Sequence, residues 1–143
     1  MADWPRIHQR VVDLFAQGWR RPHPHAWDAL LAEDAELVQP LLRSGRGAAC
    51  WQEEARRLLR FAPDLRGDVT AWAGRDDVVF IDVRLSATLG GRPLVVHSFD
   101  KLRITPEGRV TSRVAAFDVT PVVLTLLLRP TAWGRSARLL LGR

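Results

Sequence analysis

Apolar residues at Ile7, Val11, Leu14 and Phe15 recur at helical spacing, which predicts a first helix from Arg6, with Pro5 in its first turn and Gly18 as its stop. Two prolines within Arg20-Arg21-Pro22-His23-Pro24-His25 forbid a helix there. A second helix is expected from Ala26 to Ala32, with Trp27, Leu30 and Leu31 on one side, then a short strand, Glu36 to Gln39, that Pro40 ends. Beyond the turn at Ser44-Gly45-Arg46-Gly47, Trp51, Ala55, Leu58 and Ala62 mark one stripe of a third helix over Ala48–Phe61, largely opposite Arg56, Arg57 and Arg60.

From Arg66 the hydrophobic period changes to two. Four extended runs, Asp68–Ala73, Val78–Thr88, Leu94–Ile104 and Arg109–Asp118, are separated by turn-forming Gly, Asp and Pro clusters and predict an antiparallel sheet. In the second run Val79, Ile81, Val83, Leu85 and Ala87 share the apolar face. In the third, Leu94, Val96, Ser98, Asp100, Leu102 and Ile104 share one face, and His97, Phe99, Lys101 and Arg103 the other. Asp100 is the anomaly, because a carboxylate within an apolar stripe must be paired, hydrogen-bonded or protonated. Helices ahead of such a sheet make an α+β architecture, and 143 residues suffice for one core.

The last run leaves two phases open. One turns Arg113 inward with Ala115 and Phe117; the other turns Val110, Ser112, Val114, Ala116 and Asp118 inward and leaves Arg113 in solvent. An inward Arg113 pairs with Asp100 and lowers its pKa, making an ion-pair anchor for an anionic ligand; an outward one leaves Asp100 a buried acid.

Charge and composition narrow the function. The formal charge of +5 arises from 21 basic and 16 acidic side chains, yet residues 1–118 hold 17 of the basic and all of the acidic ones. Arg129, Arg135, Arg138 and Arg143 follow with no acid, so the basicity belongs to the tail and does not argue for nucleic acid. The lone Cys50 excludes an internal disulfide framework and a cysteine-based zinc cluster, and fits a reducing, cytoplasmic setting. No N-terminal secretory pattern and no bilayer-length apolar run are present. There is no tyrosine, and the single lysine, Lys101, is predicted outward, a poor Schiff-base candidate. His23 and His25 lack a carboxylate cluster to complete a metal site, and no phosphate loop, dinucleotide fingerprint or nucleophile elbow occurs, so no metal or cofactor is expected.

Three motifs carry a family resemblance: Trp27-Asp28-Ala29-Leu30-Leu31-Ala32-Glu33-Asp34-Ala35-Glu36-Leu37-Val38, Gly47 before the third helix, and Phe99-Asp100-Lys101-Leu102-Arg103-Ile104 followed by Glu107-Gly108-Arg109-Val110 and ending at Phe117-Asp118. Together they resemble the cone-shaped nuclear transport factor two-like fold, in its SnoaL-like branch, over about residues 7–128. The resemblance implies three N-terminal helices packed on a strongly curved, mixed or antiparallel sheet that encloses an apolar pocket. A C-terminal helical tail follows, divided here into a domain at 1–128 and a basic tail at 129–143. It implies a homodimer, and it aligns Asp100 with the strand position that holds a hydrogen-bonding acid in ketosteroid isomerases and an acid/base in SnoaL-type cyclases.

The departures are as informative. Gln39 stands where the isomerases place their base, and no tyrosine can supply their phenol. The aspartate pair and arginine of limonene-type epoxide hydrolases also have no match, since Ala115 replaces the final-strand aspartate. What remains is Asp100 as acid/base or hydrogen-bonding group, with Gln39, Arg113, Phe15, Trp51 and Phe117 as ligand contacts. Trp19, Trp27, Trp51 and Trp72 read as core or pocket wall, and His8 as a boundary residue of the first helix.

The expected activity is binding of a small apolar, polycyclic or polyketide-like molecule, with cofactor-independent cyclisation or isomerisation if it is turned over. The rivals are a non-catalytic lipophilic-ligand binder and a dimeric interaction module. A last helix, Thr120 to Leu128, too apolar to stand free, is expected to cover the pocket mouth or a dimer interface; attachment to anionic lipid is its less favoured alternative.

Overall fold

A computed structural model describes residues 1–40 and 42–142, so Arg143 lies outside the described residues. Helix α1 (Trp4–Arg20) starts at Asp3, whose carboxylate accepts from the Arg6 amide at 3.4 Å, with Pro5 in the first turn where no amide proton is needed. Gly18 does not stop this helix. A Cβ at Gly18 would overlap the Trp27 indole, so the glycine is there for close approach, and α1 runs on through the buried Trp19.

The expected second helix is absent. Residues 24–30 form overlapping turns, with Ala26, Asp28 and Leu30 amides donating to His23, His25 and Trp27 carbonyls three residues back. Strand β1 (Leu31–Val38) then takes over, because Leu31 already pairs with Val110. Trp27 and Leu30 are buried all the same. Two helices therefore precede the main sheet, rather than three. Strand β2 (Gly45–Arg46) lies within the expected turn, and α2 (Ala48–Phe61) begins at Gly47, whose φ of +87° favours glycine.

Strands β3 (Arg66–Arg75), β4 (Val78–Leu89), β5 (Arg92–Ile104) and β6 (Val110–Phe117) complete a six-stranded sheet in the order β2-β1-β6-β5-β4-β3. The β1–β6 pair is parallel and all others are antiparallel, so the sheet is mixed; it curls without closing on itself. The β4–β5 hairpin turns on Gly90 and Gly91, both at positive φ, as a two-residue turn requires. The inward rows of β4 and β5 are the expected ones: Val79, Ile81 and Val83 are buried, and so is every residue from Leu94 to Ile104 at alternate positions. They meet Val11, Phe15 and Trp19 of α1 in the main core.

Edge strand β3 sets Trp72 opposite Ile81, but at the sheet margin the indole stays partly exposed and joins neither core nor cavity, contrary to the wall role expected of it. His8 is buried rather than a boundary residue: its Nε2 lies 2.7 Å from the Asp76 carbonyl, tying α1 to the β3–β4 turn. After β6 come α3 (Thr120–Leu128), a single 3-10 turn (Pro130–Ala132) and α4 (Trp133–Leu141). The last was not anticipated. It packs on α2, where Arg57 donates to the Gly142 carbonyl at 3.2 Å, a cation at a helix C-terminus. No helix among the described residues is long and apolar enough to cross a membrane.

Candidate functional site

The site is built where β5 and β6 pair under the helices. Asp100 faces Ala115 and Ile81 across the ladder, and Arg113 lies opposite Leu102, so Asp100 and Arg113 are diagonal neighbours on one face. Both phases proposed for the last strand are right in part. The β5–β6 register shifts between Ile104–Val110 and Arg103–Ser112, and this bulge flips the pleat. Val110 is buried before it, while Arg113, Ala115 and Phe117 turn inward after it and Val114 is exposed.

Arg113 grips Asp100 firmly. Its Nε donates to Asp100 Oδ1 at 3.1 Å, its Nη2 lies 3.0 Å from the same oxygen as an ion pair, and Ser98 Oγ approaches that oxygen at 3.5 Å. Asp100 Oδ2 is buried with no hydrogen-bond partner among the described residues. With the carboxyl 0% exposed, burial pushes its pKa up, and the Arg113 guanidinium and Ser98 hydroxyl pull it only part of the way back. The inward arginine thus makes the ion pair without producing the lowered pKa expected of it.

The guanidinium is also boxed by aromatic rings. Its carbon lies 5.7, 5.7 and 5.8 Å from the ring centroids of Phe15, Trp19 and Trp51. Trp51 Nε1 donates to the Ala35 carbonyl at 3.2 Å, which fixes that wall, whereas Trp19 Nε1 is buried without an acceptor among the described residues. Arg113 Nη1 makes no hydrogen bond among the described residues.

Two adjoining cavities share Trp19, Gln39, Leu58, Leu65 and Arg113. The smaller, about 30 Å³, is lined by Phe15, Trp51 and Glu54; the larger, about 200 Å³, is strongly apolar and extends past Phe117 beneath Val122 and Leu126 of α3 and Leu139 of α4. Of the residues singled out from sequence, Gln39, Arg113, Phe15, Trp51 and Phe117 all line one or both cavities. Asp100 lines neither, and lies behind Arg113. Gln39 has a structural task as well, its Nε2 donating to the Arg43 carbonyl at 3.0 Å to brace the turn after β1.

Glu54 is the residue sequence reasoning missed. It is buried in the wall of the smaller cavity, and burial pushes its carboxyl up against the pull of Arg57 and Arg43. The signal was available, since Glu54 stands three residues after Trp51 and four before Leu58 on the stripe that faces inward. The two loop histidines are occupied with local bonds: His25 Nδ1 lies 2.8 Å from Asp28 Oδ2, and His23 Nδ1 accepts from the His25 amide.

The model of the SnoaL-like domain matches residues 11–113. Among solved structures, similar folds include a protein of ketosteroid isomerase-like fold from Catenulispora acidiphila, solved with trimethylamine, at TM-score 0.73 and 20% identity over 80% of this chain and 89% of that one. A candidate polyketide cyclase from Acidithiobacillus ferrooxidans matches at TM-score 0.74 and 16% identity, over 85% and 95% of the two chains. IdmH, a candidate polyketide cyclase from Streptomyces antibioticus, matches at 0.73 and 16% identity, over 82% and 96%. No curated protein matches the sequence.

Proposed function

This chain belongs to the SnoaL-like domain family, and on that premise we propose that it binds a small apolar molecule bearing a carbonyl, phenolate or carboxylate oxygen, with Arg113 as the polar anchor. The observation that carries this reading is the Arg113 guanidinium, held by Asp100 and three aromatic rings at the junction of two cavities. Apolar walls supply the affinity and a single oriented cation supplies the direction. Trp19, whose Nε1 is buried without an acceptor among the described residues, stands beside Arg113 in the wall of both cavities.

Size limits the ligand. An engineered cavity of about 150 Å³ in another protein holds benzene, so the larger cavity here, about 200 Å³, suits one or two rings better than the polycycle expected from the family resemblance.

In this reading Asp100 is a positioning residue. It fixes the guanidinium and does not touch the ligand. If the ligand is turned over, the chemistry is cofactor-independent proton transfer: Arg113 stabilises negative charge developing on the oxygen, and Glu54, the carboxyl in the cavity wall, moves the proton. The buried Glu54 favours this second reading over a purely passive binder.

A fluorescence titration with 2-naphthoate and its methyl ester tests the anchor. The carboxylate should bind the natural chain more tightly than the ester does. The double variant Arg113→Gln with Asp100→Asn, which leaves no buried charge uncompensated, should lose roughly tenfold or more for the carboxylate and little for the ester. Equal losses for both probes, or none for either, would overturn the reading.

A further inference from the structure

Arg57, Arg60, Arg135 and Arg138 line a groove of about 270 Å³ between α2 and α4. Arg57 is committed to Glu53 at 3.5 Å and to the Gly142 carbonyl, and Arg60 reaches Glu53 at 3.3 Å with most of its side chain in solvent. Arg135 and Arg138 meet no carboxylate among the described residues, and no acid follows Asp118 in the chain.

Beside this groove lies an apolar surface. Helix α3 carries no charged residue; Val122 and Leu126 face the larger cavity, while Leu124, Leu127 and Leu128 are all more than half exposed. On helix α4 both Leu139 and Leu140 line the cavity, Leu140 at its rim and partly in solvent, while Trp133 and Leu141 are more than half exposed and do not line it. Because the inner positions of both helices converge on one cavity, their outer leucines face away from it together. A surface of this kind is uncommon on a protein with no partner for it.

We propose that this surface docks peripherally on an anionic lipid bilayer, the outer leucines and Trp133 entering the headgroup boundary while Arg60, Arg135 and Arg138 hold phosphate headgroups. Charge decides between occupants. A second copy seated face to face would set these arginines against their own counterparts with no acid on either tail to offset them. A nucleic acid would use the arginines and leave the leucines in water. A bilayer bearing anionic headgroups satisfies both.

Co-sedimentation of the full chain with vesicles of phosphatidylglycerol and phosphatidylcholine, against phosphatidylcholine alone, tests this. Binding should require the anionic lipid and weaken as salt is raised. Arg135→Ala with Arg138→Ala should lower partitioning roughly 30-fold, about fivefold for each arginine. Leu127→Gln with Leu128→Gln should lower it about tenfold or more. All four side chains are exposed, so both variants should keep the parent melting temperature, measured alongside. Failure to bind anionic vesicles, or equal binding to neutral ones, would overturn the proposal. So would a concentration-dependent dimer that the leucine variant dissolves while no vesicle binding is seen, since the face would then belong to a second copy.

Discussion

At the scale of single residues, the site turns on a charge that cannot be removed from one side alone. Arg113, with only 11% of its side chain exposed, sits among three aromatic rings, and Asp100 is the one carboxylate it pairs with among the described residues. Asp100→Ala should therefore destabilise the fold by about 3–5 kcal/mol in urea unfolding, because it strands a buried guanidinium. Neutralising both partners, Asp100→Asn with Arg113→Gln, should cost much less; a single variant no worse than the double would show that the pair is not buried as described. Glu54 gives a separate, pH-dependent signature. Burial raises its folded pKa above the unfolded value, so between the two the native state holds a proton that the unfolded chain has released. Stability should fall as pH rises through that window, and Glu54→Gln should flatten the part of the profile it causes; an unchanged profile would remove Glu54 as its source. Asp100 was legible from the sequence because it interrupts an apolar alternation. Glu54 is marked only by its spacing from Trp51 and Leu58, a weaker signal because a carboxylate on a helix ordinarily faces solvent.

At the scale of elements, the sheet was legible and the segment before it was not. A strand that buries one face writes its phase in the chain, and β4 and β5 do so over 12 and 13 residues. A single helical turn has no such redundancy. Trp27, Leu30 and Leu31 satisfy the spacing of a helix and of overlapping turns equally, and the pairing of Leu31 with Val110 decides for turns and an early strand. The phase of β6 was undecidable for a related reason, since the bulge near Thr111 is a pairing event between strands and leaves no mark in the composition of either. Gly18 shows the same limit: a glycine read as a terminator is in fact the gap through which Trp27 reaches α1, its Nε1 donating to the Phe15 carbonyl at 3.4 Å. Gly18→Ala should lower stability by about 1–3 kcal/mol through overpacking, although alanine favours the helix by about 1 kcal/mol. A rise in melting temperature would contradict that reading.

At the scale of the whole molecule, the helices after β6 join the site to the surface. The tail helix is expected over the pocket mouth or a dimer interface; α3 lines the larger cavity, and α4 does so too and brings Arg135 and Arg138 beside Arg57 and Arg60 of α2. The overall charge is thereby resolved into a nearly balanced body and a basic, leucine-rich tail. The same arrangement leaves Arg113 as the cation at the head of an otherwise apolar cavity. That central claim is tested most directly by a crystal structure of the chain with 2-naphthoate bound. The account predicts the rings beneath α3 and a carboxylate oxygen within hydrogen-bond distance of Arg113 Nη1, with the Arg113–Asp100 pair intact. A carboxylate directed away from Arg113, with the rings outside the cavity, would contradict it.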